Sequence, residues 1–146
     1  MNKLLPLSAL LLTLLTSNDA LARNDKALFS LEDALNTPAA KEKLDPEIKL
    51  YFGNQSHPKA TKEVGEWKTN KKTNGFNKTD KEACEWVFLT AALELQERAK
   101  KEGGDAVINI KSNYKNEETS SDTQYVCGNG TFTTGVAFKG TVVKLK

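Results

Sequence analysis

The chain has 146 residues, a formal net charge of +2 and 27% charged residues. That length fits one domain with one core, and so small a charge excess does not by itself call for a polyanionic partner. One histidine and two cysteines argue against metal centres built from several imidazole or thiolate ligands.

Residues 1–22 have the order of a secretory signal peptide. Asn2 and Lys3 give a short basic start, and Leu4 to Leu15 form an apolar run broken by Pro6, Ser8 and Thr13. Ala20-Leu21-Ala22 then offers small residues to a peptidase. The run is too short to anchor stably in a hydrocarbon core of roughly 30 Å. The expected mature chain begins at Arg23, is periplasmic or secreted, and is soluble after cleavage. Its net charge stays at +2, because the leader removes Lys3 and Asp19 together. No cysteine follows the cleavage site, so no lipid anchor is expected there.

Along residues 23–146, Ser30-Leu31-Glu32-Asp33 reads as the capping pattern of a short helix. Thr37-Pro38 starts another, with Pro38 at a favourable first position, and Asp45-Pro46 ends it. Ile48, Leu50 and Phe52 alternate with Lys49 and Tyr51, the periodicity of a strand that Gly53 stops. A further strand is expected near Glu63 to Thr69, with Val64 and Trp67 as its apolar members. Lys71 to Asn77 is turn-like, and Asn74-Gly75 is its clearest signal.

The strongest local signal is a helix from about Asp80 to Glu102. Thr79-Asp80-Lys81-Glu82 is a capping box. Cys84, Val87, Phe88, Ala91, Ala92, Leu95 and Ala99 form an apolar stripe, with Glu94/Arg98 and Glu97/Lys101 as expected ion pairs opposite. Gly103-Gly104 supplies the left-handed cap. Trp86, Leu89 and Leu93 make a second stripe, which the N-terminal segment or another subunit must cover.

After Gly104 the period becomes two. Ala106, Ile108 and Ile110 share a face that Tyr114 extends, and Tyr114 to Asp122 reads as a charged, serine-rich connection. Tyr125 and Cys127 share a face of the next strand, and Asn129-Gly130 is the expected hairpin turn. Phe132, Thr134, Val136 and Phe138 point one way. Gly140 is expected to mark a bulge that lets Thr141, Val143 and Leu145 rejoin them. Strands beside one long helix indicate an α+β domain, with the helix packed on an antiparallel sheet and short helices before it. Leu50, Phe52, Val87, Phe88, Ala91, Leu95, Ile108, Ile110, Val136 and Phe138 are the expected core.

Cys84 and Cys127 are expected to form a disulfide, because an exported chain matures in an oxidising compartment. The bridge would close a long loop, worth roughly 4 kcal/mol on the chain-entropy model. Free buried thiols and redox chemistry at Cys84 are the alternatives, and no Cys-x-x-Cys pair supports the second.

Ala34-Leu35-Asn36-Thr37-Pro38, Lys49-Leu50-Tyr51-Phe52-Gly53, Thr69-Asn70-Lys71-Lys72-Thr73-Asn74 and Gly103-Gly104-Asp105-Ala106-Val107-Ile108-Asn109-Ile110 resemble a family of small exported proteobacterial proteins. Its members are commonly labelled "excinuclease ATPase subunit". The passage from helix through Gly-Gly-Asp-Ala-Val to strand is also similar to YbjQ-like and RcsF-like domains. That likeness implies a small sheet domain, oligomeric in some members, and in the RcsF case an envelope stress sensor with disulfides. The ATPase label fails a chemical test. Such an enzyme needs a G-x-x-x-x-G-K-S/T phosphate loop. In the nearest match, Gly135 to Gly140, Thr141 and Val142 stand where lysine and a hydroxyl are required.

The remaining chemistry is sparse. His57, beside Ser56 and ahead of Pro58, reads as a loop histidine, since adjacent residues in an extended segment point apart. Glu117, Glu118 and Asp122 lack the spacing of a calcium loop. From His57 to Lys81 seven lysines face three acids, with Trp67 and Phe76 among them. Lys59, Lys62, Lys68, Lys71 and Lys72 are thus candidate anion-binding residues. Arginine is confined to Arg23 and Arg98 in the mature chain, which removes bidentate phosphate recognition from that segment. No cofactor, metal, ATP or nucleic acid is expected. The leading expectation is a non-enzymatic envelope module that binds a partner or itself through Trp86, Leu89 and Leu93. A hydrolase with an unrecognised site and a lysine-rich anion-binding module are the alternatives.

Overall fold

The computed structural model describes residues 23–146; the expected signal peptide lies outside them. The elements are β1 (Asn24–Ser30), α1 (Leu31–Leu35), α2 (Pro38–Lys43), β2 (Lys49–Phe52), β3 (Lys62–Asn74), α3 (Asp80–Lys101), β4 (Ala106–Tyr114), β5 (Glu117–Thr119), β6 (Gln124–Gly130) and β7 (Thr133–Lys144). Among the described residues seven strands form one mostly antiparallel sheet, with α3 laid across it. The fold is α+β.

β7 organises the sheet. β3 pairs with nearly all of it on one edge, from Lys62↔Lys144 to Asn74↔Thr133. On its other edge β6 pairs with the first residues and β4 with the last. β1 extends β6, and β2 joins β4 as the parallel exception.

The capping box of α3 forms as its sequence dictates. Thr79 Oγ1 accepts from the Glu82 amide at 3.1 Å, and the Thr79 amide donates to Glu82 Oε2 at 3.3 Å. Gly103 takes φ +74° at the other end, where a side chain would be strained. Ser30 and Thr37 cap α1 and α2 through their hydroxyls. The apolar stripe of α3 is fully buried. Phe88 lies at its centre, with ring centroids 4.7 Å from Tyr125, 5.8 Å from Phe52 and 5.6 Å from Phe138.

Several local expectations are corrected. β1 is a strand that the sequence did not announce, because its first five residues are exposed and carry no alternation. Leu50 is half-buried rather than buried. β5 lies inside the expected connection and forms a hairpin with β4. The strand expected at Glu63 to Thr69 runs on to Asn74, because β7 offers a partner to each residue from Asn70 to Asn74.

The faces of β4 also differ. Asn109 has φ +50°, and the register with β7 shifts between Ile108 and Lys111. Val107 and Ile110 therefore meet the helix, while Ala106 and Ile108 join Val143, Leu145, Tyr51 and Ala60 in a second small cluster. The irregularity expected at Gly140 thus belongs to β4. β7 stays in register with β3 through Gly140↔Trp67, and Val142, not Val143, continues the helix face. Gly140 is needed for space: a Cβ there would come 2.7 Å from Val107 Cγ1 and 3.1 Å from Ile110 Cγ1.

Nor do the expected helix ion pairs form. Glu94 instead reaches Lys71 on β3, and Arg98 pairs with Glu102 at 3.2 Å while its guanidinium lies 5.8 Å over the Trp67 ring.

Gln96 is buried on α3 and holds the entry to β2. Its Oε1 accepts from the Asp45 amide at 3.0 Å, and its Nε2 donates to the carbonyls of Asp45 and Ile48 at 2.9 and 2.8 Å. Gln96→Leu keeps the volume but strands these backbone groups. We expect a loss of about 2 kcal/mol, read as a lower denaturation midpoint at unchanged m-value; a loss below about 0.5 kcal/mol would mean that the turn finds other partners.

Candidate functional site

Cys84, in the first turns of α3, is joined to Cys127 on β6, with Cα atoms 6.0 Å apart. The bridge is fully buried, so neither sulfur is available as a nucleophile. Asn129 Nδ2 donates to Cys84 Sγ at 3.3 Å, and Thr134 Oγ1 donates to Asn129 Oδ1 at 3.0 Å. Sequence reasoning missed both polar residues, having assigned Asn129 to a turn. β6 in fact continues to Gly130 and the hairpin turns at Thr131-Phe132.

Tyr125 beside the bridge carries a buried hydroxyl with no hydrogen-bond partner among the described residues. Burial, then the charges of Glu85 and Asp33, push its pKa up, so it stays a neutral phenol.

The other expected site residues disperse. Lys71 points to the helix side and is neutralised by Glu94. Lys68 and Lys72 alternate with it onto the opposite face of β3. Lys62 opens that strand, and exposed Lys59 lies in the connection before it. Among the described residues β3 pairs with β7 alone, so these lysines line an open sheet edge, where charge discourages pairing with further strands. Lys68 does line a recess of about 200 Å³ with Asn70, Asn113, Lys115 and Asn116.

The second helix stripe is split as well. Leu89 is buried and Leu93 half-buried, while Trp86 is 46% exposed. Thr37 and Ala39 flank the Trp86 and Leu89 surface, and Lys43 Nζ lies 4.8 Å over the Trp86 ring. The N-terminal helices thus supply part of the expected cover. His57 packs against Tyr51, and its Nδ1 lies 2.7 Å from the Pro58 carbonyl oxygen. Glu117 pairs with Lys26, and Asp122 Oδ1 accepts from the Asn54 amide. Among the described residues no group of three or more histidine, cysteine or acidic side chains is gathered as for a metal.

What the structure does bring together is a pair of exposed aromatic rings. Phe76, in the connection from β3 to α3, and Phe132, at the β6–β7 turn, are 55% and 62% exposed with centroids 5.7 Å apart. Backbone geometry presents them. Asn74 Oδ1 accepts from the Phe76 amide at 2.9 Å, and the Gly75 amide donates to the Phe132 carbonyl at 2.8 Å. Gly75 must lack a side chain, since a Cβ would fall 2.6 Å from Thr134 Oγ1. The start of the described chain lies here too: the Arg23 amide donates to Thr131 Oγ1 at 3.2 Å. The Arg23 guanidinium bonds Asp25 and Asp80. The Asn74-Gly75 signal located the Phe76 loop; misplacing the hairpin turn hid Phe132.

Comparison with known proteins gives no match to any family model, curated protein or solved structure. No helix among the described residues is long and apolar enough to cross a membrane.

Two predictions follow from the buried and surface polar groups. Tyr125→Phe removes a hydroxyl that has no partner, so stability should stay within about 1 kcal/mol of wild type or rise. A loss above about 2 kcal/mol in chemical denaturation would reveal a partner for that oxygen.

On the open sheet face Glu118 meets Lys139 at 2.6 Å and Lys111 at 3.4 Å, and these ammonium groups hold its carboxyl below the usual range. A lowered folded pKa stabilises above the unfolded value and is lost as pH falls through the folded one. The melting-temperature advantage of wild type over Glu118→Gln should therefore be full near pH 7 and decline as pH falls below the ordinary glutamate pKa of about 4.3. An advantage independent of pH would refute the pairing.

Proposed function

We propose that the protein is an exported, non-enzymatic binding module of the cell envelope, and that it engages its partner through the end bearing Phe76 and Phe132. The observation that carries this reading is the meeting of two exposed phenylalanines from separate loops. Single exposed apolar side chains are ordinary, whereas adjoining ones on fixed backbone mark an interaction surface. The leader-like first 22 residues and the buried disulfide suit an oxidising compartment outside the cytoplasm. The chemistry-bearing side chains have structural work: the cysteines are bonded to each other, and Glu117 and Glu118 are paired with lysines.

The recess lined by Lys68 and Lys115 favours a second reading, an anion-binding module. Asn113 there is 8% exposed, and Asn70 and Asn116 add further amides. Inorganic phosphate or sulfate that shifts the backbone resonances of Asn113 and Lys115 selectively would favour it.

The first reading is tested with immobilised, disulfide-intact protein and an envelope extract. Wild type should retain an envelope component that the doubly substituted Phe76→Ser, Phe132→Ser protein, shown to melt like wild type, does not. Equal retention by the two overturns the assignment of this end.

A further inference from the structure

Resting on that reading of the Phe76–Phe132 end, we infer that its partner is a lipid bilayer surface carrying anionic headgroups. The arrangement around the rings is layered by polarity. The two phenylalanines stand outermost, 55% and 62% exposed. Around them Asn74, Gly75, Asn77, Gly130, Thr131 and Thr133 are all uncharged. The next residues along the chain from this collar include Lys72 and Lys78, both exposed and without an ion pair among the described residues. The nearby acids Asp25 and Asp80 share the single Arg23 guanidinium, which leaves one net negative charge against the two positive charges of Lys72 and Lys78. An apolar tip, a neutral collar and unpaired cations match the sequence of environments from acyl chains through the interface to phosphate headgroups. Phenylalanine rings on a surface element bury at the headgroup–acyl boundary, and ammonium groups beside it gain from the negative surface potential.

The path of the chain gives a second, independent argument. Arg23 is fixed beside Thr131, at the base of the Phe132 turn. The apolar run Leu4 to Leu15 precedes it, separated by residues 16–22. Seven residues reach at most about 25 Å. A leader in residues 1–22 would, before its removal, leave this end of the domain within about 25 Å of the membrane. After cleavage the same surface gives weak, reversible attachment, because two rings and two lysines fall short of a stable anchor.

The experiment is sedimentation of the protein, recovered from the periplasm of a producing bacterium, with vesicles. One set contains phosphatidylethanolamine and phosphatidylglycerol, the other phosphatidylcholine alone. Wild type should sediment with the anionic set, and less so as salt rises. The Phe76→Ser, Phe132→Ser protein should bind at least about tenfold more weakly. Lys72→Gln with Lys78→Gln should reduce binding to the anionic set by about tenfold and leave the residual binding equal for both sets. If the double serine variant fails to fold, Phe132→Trp supplies the readout: its emission should shift to the blue on anionic vesicles and be quenched by lipids brominated on their acyl chains. No sedimentation with either set, or undiminished binding by the serine variant, overturns the inference. So does a dimer in solution that the serine substitutions dissociate, since the rings would then serve a second copy. An envelope protein retained through the rings by a chain that ignores vesicles ends the lipid proposal alone and leaves the binding-module reading standing.

Discussion

Phe88 lies where α3 crosses the sheet, and its ring meets Phe52 of β2, Tyr125 of β6 and Phe138 of β7. Three strands from separate parts of the chain therefore depend on one helical side chain. Stacked, tilted and edge-to-face contacts of this kind add about 0.5–1.5 kcal/mol per pair beyond the area they bury. The Cys84–Cys127 bridge ties the same helix to β6 one turn earlier, and Ala91, Ala92 and Leu95 continue the contact along it. Small alanines let the helix axis approach the sheet, and the aromatic rings fill the wider space around Phe88.

That frame explains how two loops come to share the candidate site. β3 and β7 stay paired up to Asn74↔Thr133, so the connection carrying Phe76 and the turn carrying Phe132 leave the sheet side by side. Asn129 and Thr134, which pack beneath them, bond to each other and to the bridge. Thr134 in turn leaves no space for a side chain at Gly75. A short polar relay thus runs from the disulfide through Asn129 and Thr134 to the Gly75 loop. The two rings stand exposed on loops that the Asn74 side chain and the Gly75–Phe132 backbone bond shape.

Features specified by near neighbours in the chain were legible. The α3 cap needs only Thr79 and Glu82, its stripe needs only the helical period, and Ser30 and Thr37 cap their helices with their own hydroxyls. The disulfide was legible from the leader-like first residues and the cysteine count. Features fixed by distant partners were not. Nothing near Asn109 in sequence says that β4 shifts register against β7, yet that shift decides whether Val107 or Ile108 meets the helix. β1 exposes its first five residues and exists because β6 offers it backbone partners. The pairing of Phe76 with Phe132 likewise depends on the β3–β7 ladder, which joins segments on opposite sides of α3 in sequence.

The lysine-rich segment shows how one composition can have several physical causes. Its period-two placement on β3 sends Lys71 to Glu94 of the helix and Lys68 and Lys72 to the other face, so it is not one cationic patch. A strand of 13 residues that pairs on one side only leaves a long row of backbone donors and acceptors open. Lysines along it guard against edge pairing, a role that requires charge but no ligand. The residues left over from that role are those without a partner near an apolar feature. Lys72 and Lys78 meet this condition beside Phe76 and Phe132, whereas Lys43 is spent on the Trp86 ring and Lys139 on Glu118 and Glu66. Function is therefore read from which charges remain uncompensated, and where, more than from how many lysines the segment contains.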